Sequence, residues 1–397
     1  MIKDVFKAIG GLFFCPFWYL QKLIKRDRNT WIFGAWKGER YADNSRALYE
    51  YVLQHQKNID AIWITRNRAV YQQLKEKGLP VEMANSFRGI KATLRSGVYV
   101  LSWWTRDVNH MFVNGAKIIQ LWHGLPLKKI GNDEYSFTHQ NSSLWKKFKT
   151  AVRKVILPYE FIDYDATIST SPIFSKCFSS AFALPLSRVW QEGYPRNDRF
   201  FDSETEPLIN QINQTFGNPL KIAYLPTFRD YAYKENRPFN PFLLAGYDNT
   251  EMTSFLEKEN AVLIYKGHFM EQTKEVSLSN RIISINDGLY DDLYRFLKDV
   301  DLLITDYSGM YFDFLLTRKP ILLFPFDYQD YISSRPIYFD YSLLRANRVY
   351  SWHELIHAIQ NKEFSAPSSD EISFFHSFSD GQSSARVYKK IQEFITQ

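Results

Sequence analysis

Lys117-Ile118-Ile119-Gln120-Leu121-Trp122-His123-Gly124-Leu125-Pro126-Leu127-Lys128-Lys129 reads as a buried strand, Lys117–Leu121, that stops at a histidine, a glycine and a proline. Open α/β sheets place their ligands at such carboxyl strand ends. Histidine is the side chain whose ordinary pKa lies near neutrality. With Lys128 and Lys129 close behind it, the imidazole suggests proton transfer beside an anionic substrate.

Outward from that segment, short apolar runs alternate with helical patterns. Trp31–Trp36, Ile59–Thr65, Val98–Trp103, Lys117–Leu121 and Phe161–Ser169 read as strands. Asn44 is placed to cap a helix running to Gln54. A second helix ends at Gly78, and a third opens at Ser171-Pro172, where proline suits the first turn. The pattern then restarts, with strands expected at Lys221–Pro226, Ala261–Lys266, Arg281–Ile285, Leu302–Thr305 and Pro320–Phe324. Helices fall between them at Asp291–Lys298 and Gly309–Leu316, and a last one covers Ser383–Ile395. Such alternation implies parallel sheets with crossover helices. The expected architecture is α/β, with two Rossmann-like domains, a cleft between them and a boundary near Val189–Phe200. The last helix is expected to pack back on the first half.

Composition agrees. At 397 residues and 45% apolar content, the chain can bury two ordinary cores. Its 49 basic and 43 acidic residues leave +6, too mild for a nucleic-acid binder. Cys15 and Cys177 form no metal or redox spacing, so a cytosolic, disulfide-free protein is expected. Ile9–Leu20 is apolar and aromatic but shorter than the roughly 20 residues a spanning helix needs. Lys3, Lys7, Lys22, Lys25, Arg26 and Arg28 flank it. That pattern fits an amphipathic segment, residues 1–28, lying in the headgroup region of an anionic membrane. The same pattern also fits a helix packed on the protein's own core.

Asp306-Tyr307-Ser308-Gly309 follows the strand Leu302–Thr305 and opens a helix. Free N–H groups there, with the Ser308 hydroxyl, make a phosphate cradle aided by the helix dipole, and Gly309 permits close backbone approach. Ordinary capping by Asp306 or Ser308 accounts for the same residues. His268, in Tyr265-Lys266-Gly267-His268, repeats the arrangement of His123 in the second half. Thr227 and Arg229, after the strand Lys221–Pro226, are candidate phosphate ligands. Arg196 is either a diphosphate fork or the partner of Asp198 in a turn. His353-Glu354-Leu355-Ile356-His357 matches HExxH, but no third ligand follows. Ser351 and Glu354 read more simply as a capping box.

Taken in order, these residues resemble the CDP-glycerol glycerophosphotransferase family, the primases and polymerases of teichoic acid and related capsule polymers. Phe33–Gly38 with Tyr41–Asn44 resembles the family's opening strand and loop, and Trp122–Lys129 its WHGTPLKK motif. Gly193–Asp198 matches GYPRND, Pro226–Asp230 matches PTFRD and Ile304–Ser308 matches ITDYS, with Tyr311-Phe312-Asp313 following. Tyr338–Tyr341 and Asp380-Gly381 with Arg386 are similar to its C-terminal signatures. Three departures stand out. Leu125 replaces threonine, Gly309 replaces the second serine of TDYSS, and Leu344-Arg345-Ala346-Asn347 stands where a PGP triplet is usual.

The resemblance implies a GT-B-like fold, with an acceptor-side domain at 29–190 and a CDP-polyol-binding domain at 191–397. It implies transfer of glycerol phosphate, or a similar polyol phosphate, from CDP-glycerol or another CDP-polyol to a glycan or lipid-linked acceptor, with release of CMP. His123 would be the base and His268 would neutralise the phosphate or protonate the leaving side. Arg196, Thr227, Lys266, Gly267, Asp306, Ser308 and Gly309 would hold the donor. Lys128, Lys129 and Arg229 would steer the acceptor or its phosphate. No metal or cofactor is called for, and the expected location is the cytoplasmic face of the membrane. A GT-B glycosyltransferase using a nucleotide sugar is the competing reading, and a non-catalytic binder of anionic polymer a third. The sequence is silent on oligomeric state.

Overall fold

The computed structural model describes residues 2–138, 144–227, 229, 239–267, 278–286, 292–334 and 336–396. The chain divides into two compact units. The first comprises Met1–His123, Ile130–Asp198 and Gln382–Gln397, and the second Gly124–Lys129 and Arg199–Gly381.

The first unit holds β1 (Asp27–Gly34), β2 (Asp60–Thr65), β3 (Val81–Met83), β4 (Ser96–Leu101), β5 (Lys117–Gln120), β6 (Ala166–Ile168) and β7 (Val189–Trp190). They form one sheet in the order β3-β2-β1-β4-β5-β6-β7, with every neighbour parallel. The direction of winding reverses between β1 and β4, the place where doubly wound sheets open a crevice beyond their carboxyl ends. All of β4 is buried, as a parallel strand covered on both faces must be. Helix Asp43–His55 lays Leu48 and Val52 on the sheet, and helix Ser383–Thr396 packs against it from the far end of the sequence.

The second unit holds β8 (Leu220–Leu225), β9 (Ala261–Tyr265), β10 (Ile282–Ser284), β11 (Leu302–Thr305), β12 (Ile321–Leu323) and β13 (Asn347–Arg348). Their order is β10-β9-β8-β11-β12-β13, again parallel throughout. The reversal lies between β8 and β11. Its core is aromatic: Trp352 stacks on Phe242 and meets Tyr224 and Phe324 edge-on.

The alternation thus predicts the α/β class and the parallel sheets correctly. Some boundaries differ. Only Ala166–Ile168 of the expected Phe161–Ser169 strand is regular; Asp165 before it donates its N–H to the Ile118 carbonyl and turns its carboxylate onto the Ile118 N–H and the Lys117 ammonium. The helix expected from Asn44 starts at Asp43, with Ala42 at the cap position. β3, β7 and β13 span two or three residues each, too few to display a period.

The N-terminal segment forms a helix, Ile2–Leu20. One face packs on its own unit. Gly11 meets Leu157, Phe14 meets Phe112 and Tyr159, and Trp18 is buried. Arg26, expected among the flanking headgroup cations, is instead a staple. Its two Nη groups donate to the carbonyls of Thr93, Ser96, Phe112 and Asn114, so both are spent inside the protein.

Candidate active site

In the first unit the carboxyl ends of β1, β4 and β5 carry the loops that hold His123. Its Nδ1 lies 3.1 Å from the Ser102 carbonyl oxygen. A carbonyl only accepts, so Nδ1 carries the proton and Nε2 keeps the lone pair. Trp36, Trp103 and Trp122 surround the ring, with centroids 5.4, 6.0 and 4.3 Å away. Burial pushes the His123 pKa below its ordinary 6.5, and the Arg196 charge adds to this, against the Asp43 carboxylate and the Ser102 bond. The result is a neutral imidazole with one fixed tautomer, the form a general base requires.

A polar clamp sets that geometry. Asn44 Nδ2 donates to the carbonyls of Leu121 and Trp122 at 3.2 and 2.9 Å, and its Oδ1 accepts from Arg196 N–H at 3.1 Å. Asn44 is therefore no helix cap; its amide pins the strand end that delivers His123. Arg196 Nη1 donates to Asp43 Oδ1 at 2.6 Å and to the His123 carbonyl at 2.7 Å. Arg196 is 6% exposed, so the expected diphosphate fork is corrected to a positioning residue, and its carboxylate partner is Asp43 rather than Asp198. Asp198 instead accepts from the N–H groups of Ser383 and Ser384, both at 2.8 Å, capping the last helix. Asp107 gathers the N–H groups of Lys37, Ser102, Trp103 and Trp104, which aims the Ser102 carbonyl. Burial pushes its pKa up to about 6 against those donors. Trp36, Lys37, Asp43 and Trp122 all have φ between 49° and 64°, a clustering of strained backbone typical of functional sites.

In the second unit Thr227 follows β8 and Asp306–Gly309 follow β11, on either side of the reversal. Asp306 Oδ1 accepts from Thr227 N–H at 2.9 Å and Tyr307 N–H at 2.6 Å, and Oδ2 lies 2.7 Å from Arg229 Nη2. Arg229 also forks onto Asp327 at 2.6 and 2.9 Å and donates to the Thr227 carbonyl. Phe239, Tyr307, Tyr331 and Phe326 ring it at 4.8–5.8 Å. Burial opposes the Arg229 charge, but the two carboxylates overcome it and raise its pKa. At 0% exposure Arg229 cannot meet a diffusing anion, so the steering role expected for it is corrected to a scaffold for the β8 and β11 loops. Asp306 is spent on the same scaffold. Thr227 Oγ1 is buried without a hydrogen-bond partner among the described residues. Ser308 Oγ accepts from Met310 N–H at 3.2 Å, a turn just before the helix, whose cap position is Gly309. The helix behind it covers only Met310–Phe314, so any anion held here meets local N–H and O–H groups more than a macrodipole. Lys266 continues β9 beside β8, its N–H on the Tyr224 carbonyl, and Gly267 follows. His268 lies outside the described residues.

The model of the CDP-glycerol:poly(glycerophosphate) glycerophosphotransferase family matches residues 17–393. The chain belongs to this family. A teichoic acid glycerol-phosphate transferase of Staphylococcus aureus is 27% identical over 98% of this chain and 100% of its own length. A teichoic acid poly(glycerol phosphate) polymerase of Bacillus subtilis is also 27% identical, over 79% of this chain but 41% of the polymerase. The structure of the wall teichoic acid polymerase TagF superposes with a TM-score of 0.72 at 21% identity, covering 100% of this chain and 98% of the other; that likeness is one of fold. As a member of the glycerophosphotransferase family the protein is a transferase, and the nucleotide-sugar reading is not favoured.

Two of the departures from the glycerophosphotransferase pattern touch. A Cβ on Gly309 would stand 2.5 Å from the Leu125 carbonyl oxygen. The close approach that Gly309 permits is therefore to Leu125 of the same chain. Leu125 belongs to the segment Gly124–Lys129, which lies along Pro336–Tyr338: Lys129 N–H donates to the Pro336 carbonyl and Tyr338 N–H to that of Leu127. Lys128 Nζ sits 5.0 Å from the Tyr331 ring centroid. Gly309→Ser, which restores the family's usual residue, should cost about 1–3 kcal/mol by overpacking, read as a lower denaturant midpoint at unchanged slope.

HExxH is accounted for by surface contacts. His353 Nδ1 lies 2.7 Å from Glu251 at 77% exposure, and Glu354 accepts from Tyr350 N–H while Ser351 caps its own N–H. Asp43, Asn44, Asp107 and Asp327 were not among the expected site residues. Asp43-Asn44 was visible as part of the family's opening loop. Asp327 carries no local signal, because Arg229 lies 98 residues away; Asp107 caps its own turn through the N–H groups of Ser102, Trp103 and Trp104, and only its bond to Lys37 spans 70 residues.

Proposed function

We propose that the protein transfers glycerol phosphate, or a similar polyol phosphate, from its CDP-linked donor to a hydroxyl of a glycan or lipid-linked precursor in teichoic acid or capsule-type polymer synthesis. The acceptor oxygen attacks the donor's β-phosphorus, the bond to the α-phosphate oxygen breaks and CMP leaves. The acceptor proton passes to His123 Nε2. The observation that carries this reading is the single tautomer of His123, held by the Ser102 carbonyl at 3.1 Å, in a chain of this family. Thr227, Lys266, Gly267 and Ser308 line the donor phosphates, with Thr227 Oγ1 and the Ser308 hydroxyl as hydrogen-bond donors. Arg229 and Asp306 fix the loops that present them, and Lys128 and Lys129 attract a phosphate-bearing acceptor. His268 neutralises the phosphate or protonates the leaving side. Phosphoryl transfer of this kind rests on positioning and electrostatics, which cations, hydroxyls and N–H groups supply.

The protein works at the cytoplasmic face of the membrane as a peripheral protein. No described helix is long and apolar enough to cross a bilayer. On helix Ile2–Leu20 and the turn after it, Leu12, Phe13, Tyr19, Leu20 and Leu23 are exposed, and Lys22, Lys25 and Arg28 follow them at the surface. That outward apolar face with adjoining cations supports interfacial seating.

A donor screen tests the reading. Incubation with CDP-glycerol, CDP-ribitol or UDP-sugars and a lipid-linked acceptor should release CMP from a CDP-polyol and no UDP. The reverse outcome would establish the glycosyltransferase instead. Because burial lowers the His123 pKa, the base is neutral at pH 7 and is lost only as pH falls through a value under 6.5. The acid limb of kcat/KM against pH should therefore have its midpoint below 6.5.

A further inference from the structure

Three neighbouring strands of the first unit run into tryptophan at their carboxyl ends. β1 leads to Trp36, β4 to Trp103 and β5 to Trp122, just before His123. The winding reverses between β1 and β4, so these ends border the crevice of the sheet. Trp36 and Trp103 are only partly buried. Their rings stand 5.2 Å apart at 55°, and lie 5.4 and 6.0 Å from the imidazole. Both are held in place. Trp36 Nε1 donates to Asp43 Oδ2. Trp103 is fixed through its backbone, its N–H on Asp107 at 2.7 Å and its carbonyl accepting from Gln120 Nε2 at 3.0 Å. Partly exposed indoles at a strand-end crevice suit a ligand with an apolar face and polar edges. The C–H face of a pyranose ring is such a face.

Lys37 adds a charge to this rim. It follows Trp36 with a φ of 58°, and Trp36 itself has a φ of 49°. Non-glycine residues in the left-handed region cost free energy, so the surroundings must hold them there. Asp107 does this for Lys37, whose N–H donates to Oδ1 at 2.8 Å. Its Oδ2 accepts from Ser102 N–H at 3.1 Å, and the Ser102 carbonyl orients His123 Nδ1. One buried carboxylate thus places both the base and the lysine. Lys37 is exposed, with Nζ 4.4 Å from the Trp103 ring centroid. Among the described residues no carboxylate pairs with it. A cation–π contact at an exposed site is weak, too weak to account for two adjoining left-handed residues. An ammonium set at the rim of the base's crevice suits an anionic group of the substrate.

We propose that Trp36, Trp103 and Lys37 form the acceptor subsite: the two indoles take a pyranose ring at the reacting end of the acceptor, and Lys37 takes a phosphate attached to it. This rests on the transfer reading above and adds the residues that meet the acceptor and the chemistry they select. The attacking hydroxyl must reach His123 Nε2, so the groups around that imidazole meet the acceptor rather than the nucleotide. A linear polyol phosphate chain offers Lys37 its phosphates but offers the indoles no ring face. Acceptors with sugar at the reacting end are therefore preferred over poly(glycerol phosphate).

The test is steady-state CMP release from CDP-glycerol by the full chain with three kinds of acceptor. These are octyl glycosyl phosphates of the common hexoses and N-acetylhexosamines, the matching phosphate-free octyl glycosides, and oligo(glycerol phosphate). Lys37→Met should raise the KM for the glycosyl phosphates at least about tenfold, the scale of one lost hydrogen bond to a charged group. Its KM for CDP-glycerol and for the phosphate-free glycosides should match wild type, and Lys37→Arg should restore most of the loss. Trp103→Leu should raise the KM for both kinds of glycoside about tenfold, the scale of one lost aromatic contact, and change that for oligo(glycerol phosphate) least. Lys37 is a surface residue, so its variants decide the matter even where Trp103→Leu fails to fold. An unchanged acceptor KM in Lys37→Met overturns the proposal; a raised donor KM in the same variant then assigns the lysine to the donor diphosphate. Equal or better use of oligo(glycerol phosphate) by wild type also overturns it. CMP release with a lipid-linked acceptor but with none of the glycosides defeats the subsite alone, whereas no release with any acceptor removes the transfer reading beneath it.

Discussion

Replacing His123 with alanine should lower kcat by about 10²–10⁴, the range general base catalysis supplies, while the fold survives. The imidazole sits among Trp36, Trp103 and Trp122, and its Nδ1 donates to the Ser102 carbonyl. Truncation removes the acceptor at Nε2 and leaves the Ser102 carbonyl without its donor, a penalty of about 1–3 kcal/mol for a buried group. That is smaller than the stability of an ordinary domain. The checks are steady-state CMP release and thermal unfolding of the same preparation. Activity within about tenfold of wild type, on those general-base magnitudes, would remove the base assignment. Asn44→Ala should act in the same direction by a different route. It frees the Leu121 and Trp122 carbonyls and lets the left-handed Trp122 turn relax, so the ring is present but misplaced.

Arg229→Met should destabilise the second unit by about 3–5 kcal/mol, the cost of stranding buried partners of a broken ion pair. Asp306 and Asp327 both lean on this guanidinium, at 2.7 Å and at 2.6 and 2.9 Å. Tyr307 adds its hydroxyl to Asp327 at 3.0 Å, and Tyr341 donates to the Asp306 carbonyl at 3.0 Å. With the cation gone, two carboxylates face a ring of aromatic side chains. Denaturant unfolding measures the loss. Adding Asp306→Asn and Asp327→Asn to Arg229→Met should recover part of it, because the stranded charges are removed with their partner. A loss under about 1 kcal/mol would instead place the cluster with exposed ion pairs, which its burial forbids.

The sequence made the strands of both sheets legible because parallel strands buried on two faces are runs of apolar residues. It made the strand-end loops legible because His123, Thr227 and Ser308 interrupt those runs with polar chemistry. The partners of those residues were not legible. Asn44 follows an aspartate at a helix start, so local rules make it a cap. Its amide instead reaches carbonyls 77 and 78 residues away. Arg196 reaches Asp43 across 153 residues, and Arg229 reaches Asp327 across 98. Contacts of that separation are set by which strands become neighbours, and no local pattern encodes strand order. Arg26 failed as a headgroup cation for the same reason, since its acceptors lie 67 to 88 residues on.

The central claim is that a CDP-polyol donor is cleaved at its diphosphate by an acceptor hydroxyl that His123 deprotonates. Single-turnover CMP release from CDP-glycerol, followed with and without a lipid-linked acceptor for wild type and His123→Ala, tests it most directly. The account predicts acceptor-dependent CMP from wild type, with one polyol phosphate added to the acceptor, and at least a hundredfold slower release from His123→Ala, about the lower bound of general-base catalysis. CMP release at equal rates from both proteins, or none from wild type with any CDP-polyol, would contradict it.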